Sequence, residues 1–275
     1  EGRRFASESD TEVLLHLYDR DGPAMVEKLR GMFAFAIWDA AKQGVFLARD
    51  GFGIKPLYFA DDGGTLRFAS QALLAGGGID TRPCAAGRAG FYVWGYVPEP
   101  WTMFENIRAL PAGSTLWIDA NGARAPHRYF DVAAEYERAS ADPEPWSREA
   151  LREALLDTIR HHLVADVPVG AFLSAGHDSA TIVALTAEIE PGQLRSVTMG
   201  FDAFDGTPFD EAALAERIAA HYRTAHRTQR IGAADFRDQY DRLCGAMDQP
   251  TIDGVNTYFV SKVTAETGLK VAMSG

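Results

Sequence analysis

Cysteine is almost absent from this 275-residue chain: Cys84 and Cys244 lie far apart, without CxxC spacing. That excludes a disulfide framework and a zinc knuckle, and a reducing cytoplasm is the expected setting. No uninterrupted apolar run is long enough to cross a bilayer, so no membrane role is expected. Basic residues are few, 27 Lys and Arg against 38 Asp and Glu, for a net charge of -11. With no local basic patch either, that balance repels phosphate backbones, so nucleic acid is not an expected partner. Internal repeats and low-complexity tracts are missing too. The chain opens on Glu1 with no methionine and no basic stretch leading into an apolar one, so no signal peptide is read and the start is expected to be a cut. Its end, an apolar run passing directly into Ser274-Gly275, reads the same way: something is expected to follow.

What is present is the composition of a globular protein, 47% hydrophobic and 24% charged, long enough for two ordinary domains. From Thr11 to Asp21 the spacing of Val13, Leu14, Leu17 and Tyr18 predicts an amphipathic helix, with Asp10 as its N-cap and Glu12 in its first turn. Short β-rich runs follow at Met32 to Trp38, Val45 to Arg49, Pro56 to Ala60, Thr65 to Ser70 and Thr115 to Ile118. They are separated by turn chemistry such as Asp61-Asp62-Gly63-Gly64 and Asn121-Gly122, which predicts antiparallel hairpins. The polar, proline-bearing stretch from Ala139 to Pro145 reads as a linker, giving domains over 1–140 and 147–275 joined through 141–146. Beyond it, Ser147 caps a helix whose face carries Leu151, Leu155, Ile159 and Leu163. Strands at Val167 to Leu173, Ser196 to Phe201, Thr228 to Ile231 and Leu269 to Met273 then alternate with helices after Asp178, over Asp210 to Tyr222, Ala234 to Gly245 and Asn256 to Thr267. That alternation predicts a parallel α/β sheet covered on both faces.

The chemistry is concentrated in Phe172-Leu173-Ser174-Ala175-Gly176-His177-Asp178-Ser179, which joins a buried strand to a helix start. Unpaired N–H groups and the positive end of the helix dipole meet there, a natural cradle for phosphate. Ser174 and Ser179 offer hydroxyls, Gly176 permits close backbone approach, and Asp178 is suited to magnesium. An ordinary capped turn uses the same residue types. At roughly 7% usage per fixed position, however, Ser-x-Gly-x-Asp-Ser has a chance of under about 1% of arising anywhere in such a chain. It is neither a Walker loop nor a dinucleotide fingerprint, because the Gly-Lys-Ser/Thr and GxGxxG spacings are missing.

The segment resembles the PP-loop of ATP pyrophosphatases, and its flanks resemble the asparagine synthetase B family. The likeness runs through Ser9-Asp10-Thr11-Glu12-Val13-Leu14-Leu15, Arg30 to Asp39, Ala48 to Tyr58, Leu110-Pro111-Ala112-Gly113, Val167-Pro168-Val169-Gly170 and Val271-Ala272-Met273-Ser274-Gly275. It implies an α+β first part, an incomplete N-terminal-nucleophile αββα sandwich acting on glutamine. A doubly wound parallel α/β sheet of the adenine nucleotide alpha hydrolase type would follow, joined to the first part by an ammonia tunnel. The implied substrates are glutamine, ATP with Mg2+, and a carboxylate acceptor; a homodimer is compatible with it. By resemblance Asp10 binds the glutamine amino group; Leu173 and Met199 line the adenine pocket; Ser174, Gly176, Asp178 and Ser179 bind pyrophosphate; Asp178 holds Mg2+; and Ser274 and Gly275 begin a second nucleotide loop. Arg49 and Asp50 fall in a family hairpin motif, where a salt bridge serves as well as a ligand contact.

The chain departs from the family in four places. The family's N-terminal cysteine nucleophile has no counterpart, since residue 1 is Glu and neither Cys84 nor Cys244 matches it, so no glutamine hydrolysis is expected of this chain. The chain stops at Ser274-Gly275, before the family's Gly-Asp-Glu segment would be met. Ala175 replaces a loop glycine, at little cost if its φ is negative and more if it is positive. Asp248 to Tyr258, where the family shapes its acceptor pocket, lacks the arginine-containing stretch for aspartate, which leaves the acceptor open. His177 is read as solvated, and His161, His162, His221 and His226 lack helical metal-pair spacing. A β-lactam-synthetase-like cyclase using an internal amine and a degenerate nucleotide-binding module are the alternative readings.

Overall fold

The computed structural model describes residues 4–72, 78–143 and 147–275, so Glu1 and Glu144 to Trp146 of the expected linker lie outside the described residues. Two compact units emerge, Glu1–Glu144 with Asp248–Thr251, and Pro145–Met247 with Ile252–Gly275.

In the first unit, α1 (Asp10–Asp21) begins one residue earlier than its periodicity predicts. Its N-cap is Ser9, whose hydroxyl accepts from the Thr11 N–H at 3.2 Å, and Asp10 is the first helical residue, correcting the expected cap. Ser9 and Glu12 have capping-box spacing, but Glu12 reaches past the cap to the N–H groups of Ala6 and Ser7, at 2.8 and 2.7 Å. Leu14, Leu17 and Tyr18 pack on Met25, Val26, Ile37, Phe46 and Ala48, while Val13 is exposed. The strands are β1 (Ala34–Asp39), β2 (Gly44–Arg49), β3 (Tyr58–Asp61), β4 (Leu66–Ala69), β5 (Arg108–Ala109), β6 (Ser114–Asp119), β7 (Gly122–Ala123) and β8 (His127–Arg128). Antiparallel pairing gives one sheet ordered β1-β2-β6-β7, with β8 beside β6, and a second ordered β4-β3-β5. Alternation along β2 sends Phe46 and Ala48 toward α1 and Leu47 toward Leu57, Leu110, Leu116 and Ile118. The layers are therefore helix, sheet and sheet.

Two α-helices of this unit, among the described residues, are absent from the sequence reading. α2 (Ala85–Trp94) is capped by Cys84, whose sulfur accepts from the Gly87 N–H at 3.4 Å. α3 (Val132–Ala141) is capped by Asp131, so Ala139 to Ala141, read as the beginning of a linker, are its last turn. Asp248 to Thr251 fold with this unit: the Asp248 carboxylate accepts from Ala72 N–H at 2.7 Å and the Gln249 side chain from Met103 N–H at 2.8 Å.

The second unit follows the predicted alternation: α4 (Arg148–His162), β9 (Val169–Phe172), α5 (His177–Ile189), β10 (Arg195–Phe201), α6 (Ala212–Tyr222), β11 (Ala225–Ile231), α7 (Ala233–Ala246), α8 (Gly254–Glu266) and β12 (Val271–Met273). The Ser147 hydroxyl caps α4 through Ala150 N–H. The buried side of α4 is Leu156 and Ile159, with Leu151 half exposed. A four-residue row drifts about 40° per step around a helix, so it cannot stay on one face for three steps. All strands are parallel, in the order β11-β10-β9-β12. Ala171, Leu173, Val183, Ala215 and Ala219 form a core on the α5–α6 face. Val197, Ile231, Leu243, Phe259 and Val263 form another on the α7–α8 face. β11 is longer than its sequence signal because it is an edge strand: its polar residues Arg227 and Gln229 still pair in register with β10.

Candidate functional site

From the central β9 the chain winds outward through β10 to β11, then returns to β12 on the other side of β9. The order reverses between β9 and β12, and open α/β sheets bind ligands outside the carboxyl ends of the strands at such a reversal. Both segments singled out in the second unit meet there: Ser174 to Ser179 follow β9, and Ser274-Gly275 follow β12. Gly275 sits so close to the start of α5 that a Cβ on it would lie 2.6 Å from the Ser179 nitrogen and 2.7 Å from the Asp178 carbonyl carbon.

The Ser179 hydroxyl, 7% exposed, organises the loop from inside. It accepts from Ser174 N–H at 3.2 Å, lies 2.9 Å from the Ser174 hydroxyl, and has the carbonyls of Ser174 and Gly176 within 3.3 Å. The Ser174 hydroxyl also accepts from Gly176 N–H at 3.2 Å. Ser179, expected to offer its hydroxyl outward, is thus an internal brace. Donors for a ligand come from the backbone: Ala180 N–H bonds Gly176 O, but the N–H groups of His177, Asp178 and Ser179 have no acceptor among the described residues. Ser174, Gly176, His177 and Asp178 are exposed. Gly176 is the N-cap of α5 at φ -70°, so negative φ does not require glycine there; a Cβ would instead press to 3.2 Å from the Ser174 hydroxyl. Ala175 is not among the residues at positive φ, so its methyl group introduces no backbone strain.

Leu173 and Met199 do not converge. Leu173 is buried in the α5–α6 core and Met199 packs half-buried against the α7–α8 core, on opposite faces of the sheet. One buried polar residue the sequence reading passed over, Thr198, donates its hydroxyl to the Leu173 carbonyl at 2.5 Å. The signal for it was a hydroxyl between the apolar Val197 and Met199, the second in this strand after Ser196.

In the first unit, Asp10 is exposed at the start of α1, 3.5 Å from the Thr11 hydroxyl. Beside it, Glu12 is held at a pKa of about 2 by the Ser7 hydroxyl and the Ala6 N–H, with Ser7 N–H and His16 also contributing. Arg49 and Asp50 are almost wholly buried. Arg49 donates to the Glu99 carboxylate at 2.5 Å and to the carbonyls of Leu110, Lys55 and Gly53 at 2.6, 2.8 and 2.8 Å. Asp50 accepts four backbone N–H groups, from Phe33, Phe52, Ile54 and Lys55, at 2.9 to 3.3 Å. With their hydrogen-bonding capacity turned inward, both are structural. Close by, burial pushes the Tyr129 phenol up to about 12, with the Asp50 charge adding to it.

Comparison with known proteins agrees along the whole chain. Residues 1–130 match the glutamine amidotransferase domain family and residues 150–275 the asparagine synthase family. Asparagine synthetase [glutamine-hydrolyzing] 1 of Bacillus subtilis is 32% identical over 100% of this chain and 43% of its own length. A putative asparagine synthetase [glutamine-hydrolyzing] of Mycobacterium bovis is 34% identical over 100% of this chain and 42% of its own. Asparagine synthetase B [glutamine-hydrolyzing] of Escherichia coli is 31% identical over 99% and 46%. The chain spans less than half the length of these relatives. With both domain families matched in tandem, the chain is similar over its whole length to glutamine-hydrolysing asparagine synthetases.

Proposed function

We propose that this chain is part of a ligase that adenylates a carboxylate with ATP and converts it to an amide with nitrogen from glutamine. The observation that carries the reading is the β9–α5 loop: three unfilled N–H groups at a helix start, at the switch point of a parallel sheet, with Gly275 packed against them. In this reading Ser174, Gly176, Asp178 and Ser179 form the pyrophosphate cradle, with Ser179 shaping it from within, and Ser274 and Gly275 form its opposite wall. Leu173 and Met199 contribute to adenine binding through their backbone, since their side chains belong to separate cores.

The residues present fit a magnesium ion brought in on phosphates. Among the described residues no three His, Cys, Asp or Glu side chains are grouped to hold a metal alone, whereas magnesium is commonly held by one or two carboxylates together with substrate phosphates. Asp178, exposed in the first turn of α5, supplies that carboxylate. When bound, the ion would neutralise charge developing on the phosphates. The loop N–H groups orient the α-phosphorus for attack by the acceptor carboxylate, pyrophosphate leaves, and ammonia attacks the acyl adenylate to give the amide and AMP. Asp10 takes the glutamine amino group at the start of α1. The acceptor is a carboxylate, aspartate or a related acid.

The finer fold reading goes with this function. The helix, sheet and sheet layering of the first unit supports part of an N-terminal-nucleophile sandwich, and the switch point of the second supports an adenine nucleotide alpha hydrolase-like sheet. ATP–pyrophosphate exchange by the full-length gene product tests the reaction. Asp178→Ala is expected to abolish exchange, and exchange at the wild-type rate would remove the assignment.

A further inference from the structure

The loop's fixed geometry needs an anchor where it leaves the sheet, and Thr198 supplies one. Backbone pairing between β9 and β10 is in register from Arg195↔Gly170 to Val197↔Phe172. Leu173 N–H still reaches the Val197 carbonyl at 2.9 Å, and the next acceptor, the Leu173 carbonyl, takes its hydrogen bond from the Thr198 side chain at 2.5 Å. One residue later Ser174 is exposed and its N–H has turned to the Ser179 hydroxyl. A continuing parallel ladder would serve that carbonyl from a backbone N–H and hold the two chains side by side. A side-chain donor satisfies it while letting the backbones diverge. Thr198 is 3% exposed and Leu173 2%, so bulk water does not replace the hydroxyl. The β-branch restricts χ1, which keeps the hydroxyl aimed.

We propose that Thr198 is a positioning residue for the phosphate loop: its hydroxyl, holding the Leu173 carbonyl, ends β9 and sets the direction in which Ser174 to Ser179 enter the crevice. This rests on the nucleotide reading of the loop. The same hydroxyl has no path to a ligand itself, since it lies below the loop and is spent on the carbonyl. Replacing it by a methyl group of equal shape leaves a buried carbonyl without a donor, a state that native structures avoid, so the chain relaxes at the loop's first residue.

The test titrates MgATP into the chain by calorimetry for wild type, Thr198→Val and Thr198→Ser, with circular dichroism to compare folding. Thr198→Val is expected to weaken binding about 10-fold or more, and Thr198→Ser, which restores the donor with a less restricted rotamer, to stay within about 3-fold of wild type. Should the valine chain not fold, Thr198→Cys, a weak donor of similar size, takes its place with an intermediate loss expected. Unchanged affinity in Thr198→Val, or a serine variant as weak as valine, overturns the proposal while leaving the nucleotide reading intact. Absence of binding by wild type overturns the nucleotide reading and this inference with it.

Discussion

Arg49→Met tests the most heavily bonded side chain of the first unit. The substitution keeps much of the buried aliphatic volume and removes four donated hydrogen bonds, one to a carboxylate and three to carbonyls. Breaking a buried ion pair from one side costs about 3–5 kcal/mol, and an orphaned buried carbonyl about 1–3 kcal/mol. These do not add fully. The Glu99 side chain is 37% exposed and keeps its bond from Ala112 N–H at 3.0 Å, so solvent screens part of its loss. We expect a net cost of about 4 kcal/mol, or roughly 10 °C in the melting of a unit this size. Arg49→Lys keeps the charge but not the planar fork, and is expected to lose about 2 kcal/mol. Urea unfolding followed by tryptophan emission reports mainly on the first unit, because four of the five tryptophans, Trp38, Trp94, Trp101 and Trp117, belong to it. A methionine variant within about 1 kcal/mol of wild type, or a lysine variant equal to wild type, would refute the structural role given to Arg49.

Two further substitutions probe the second unit. Gly275→Ala forces a Cβ to 2.6 Å from the Ser179 nitrogen, and is expected to weaken MgATP binding about 10-fold, about 1.4 kcal/mol. Gly176→Ala, whose nearest neighbour would be the Ser174 hydroxyl at 3.2 Å, should lose less in the same titration, and the reverse order would count against this geometry. Burial holds the His226 imidazole below its ordinary value, opposed by the Glu216 charge. The ring bonds the Ser196 and Thr228 hydroxyls at 2.8 and 3.1 Å. The unfolded ring titrates near about 6.5 and binds its proton more readily than the folded one, so His226's contribution is complete above that pH and lost as pH falls through it. The urea midpoint of wild type should therefore drop between about pH 7.5 and 5.5 more than that of His226→Gln; equal drops would exclude His226 as a source.

The second unit was legible because its inner strands β9 and β10 are largely buried and alternate with helices of different period. Edge strand β11 was only half legible, since Arg227 and Gln229 interrupt the apolar run at the sheet margin. α2 was illegible for a definite reason. Phe91-Tyr92-Val93-Trp94 reads as a strand, and Gly87 and Gly90 are poor helix formers. Tertiary contact requires those glycines: a Cβ on Gly87 would sit 2.0 Å from the Thr102 carbonyl oxygen, and one on Gly90 2.2 Å from Pro98 Cδ. The cap of α1 was misplaced because Ser9 and Asp10 are both good caps, and only the chain path decides between them. In the loop, residue types pointed to phosphate, but which hydroxyls face outward is set by folding, and Ser179 faces inward.

Calorimetric titration of MgATP into wild type and Asp178→Ala tests the central claim most directly. Saturable binding that requires magnesium and is lost in Asp178→Ala is the predicted result. Heat that is absent in wild type, or identical in the two proteins, would contradict the assignment of Ser174 to Ser179 as the nucleotide loop.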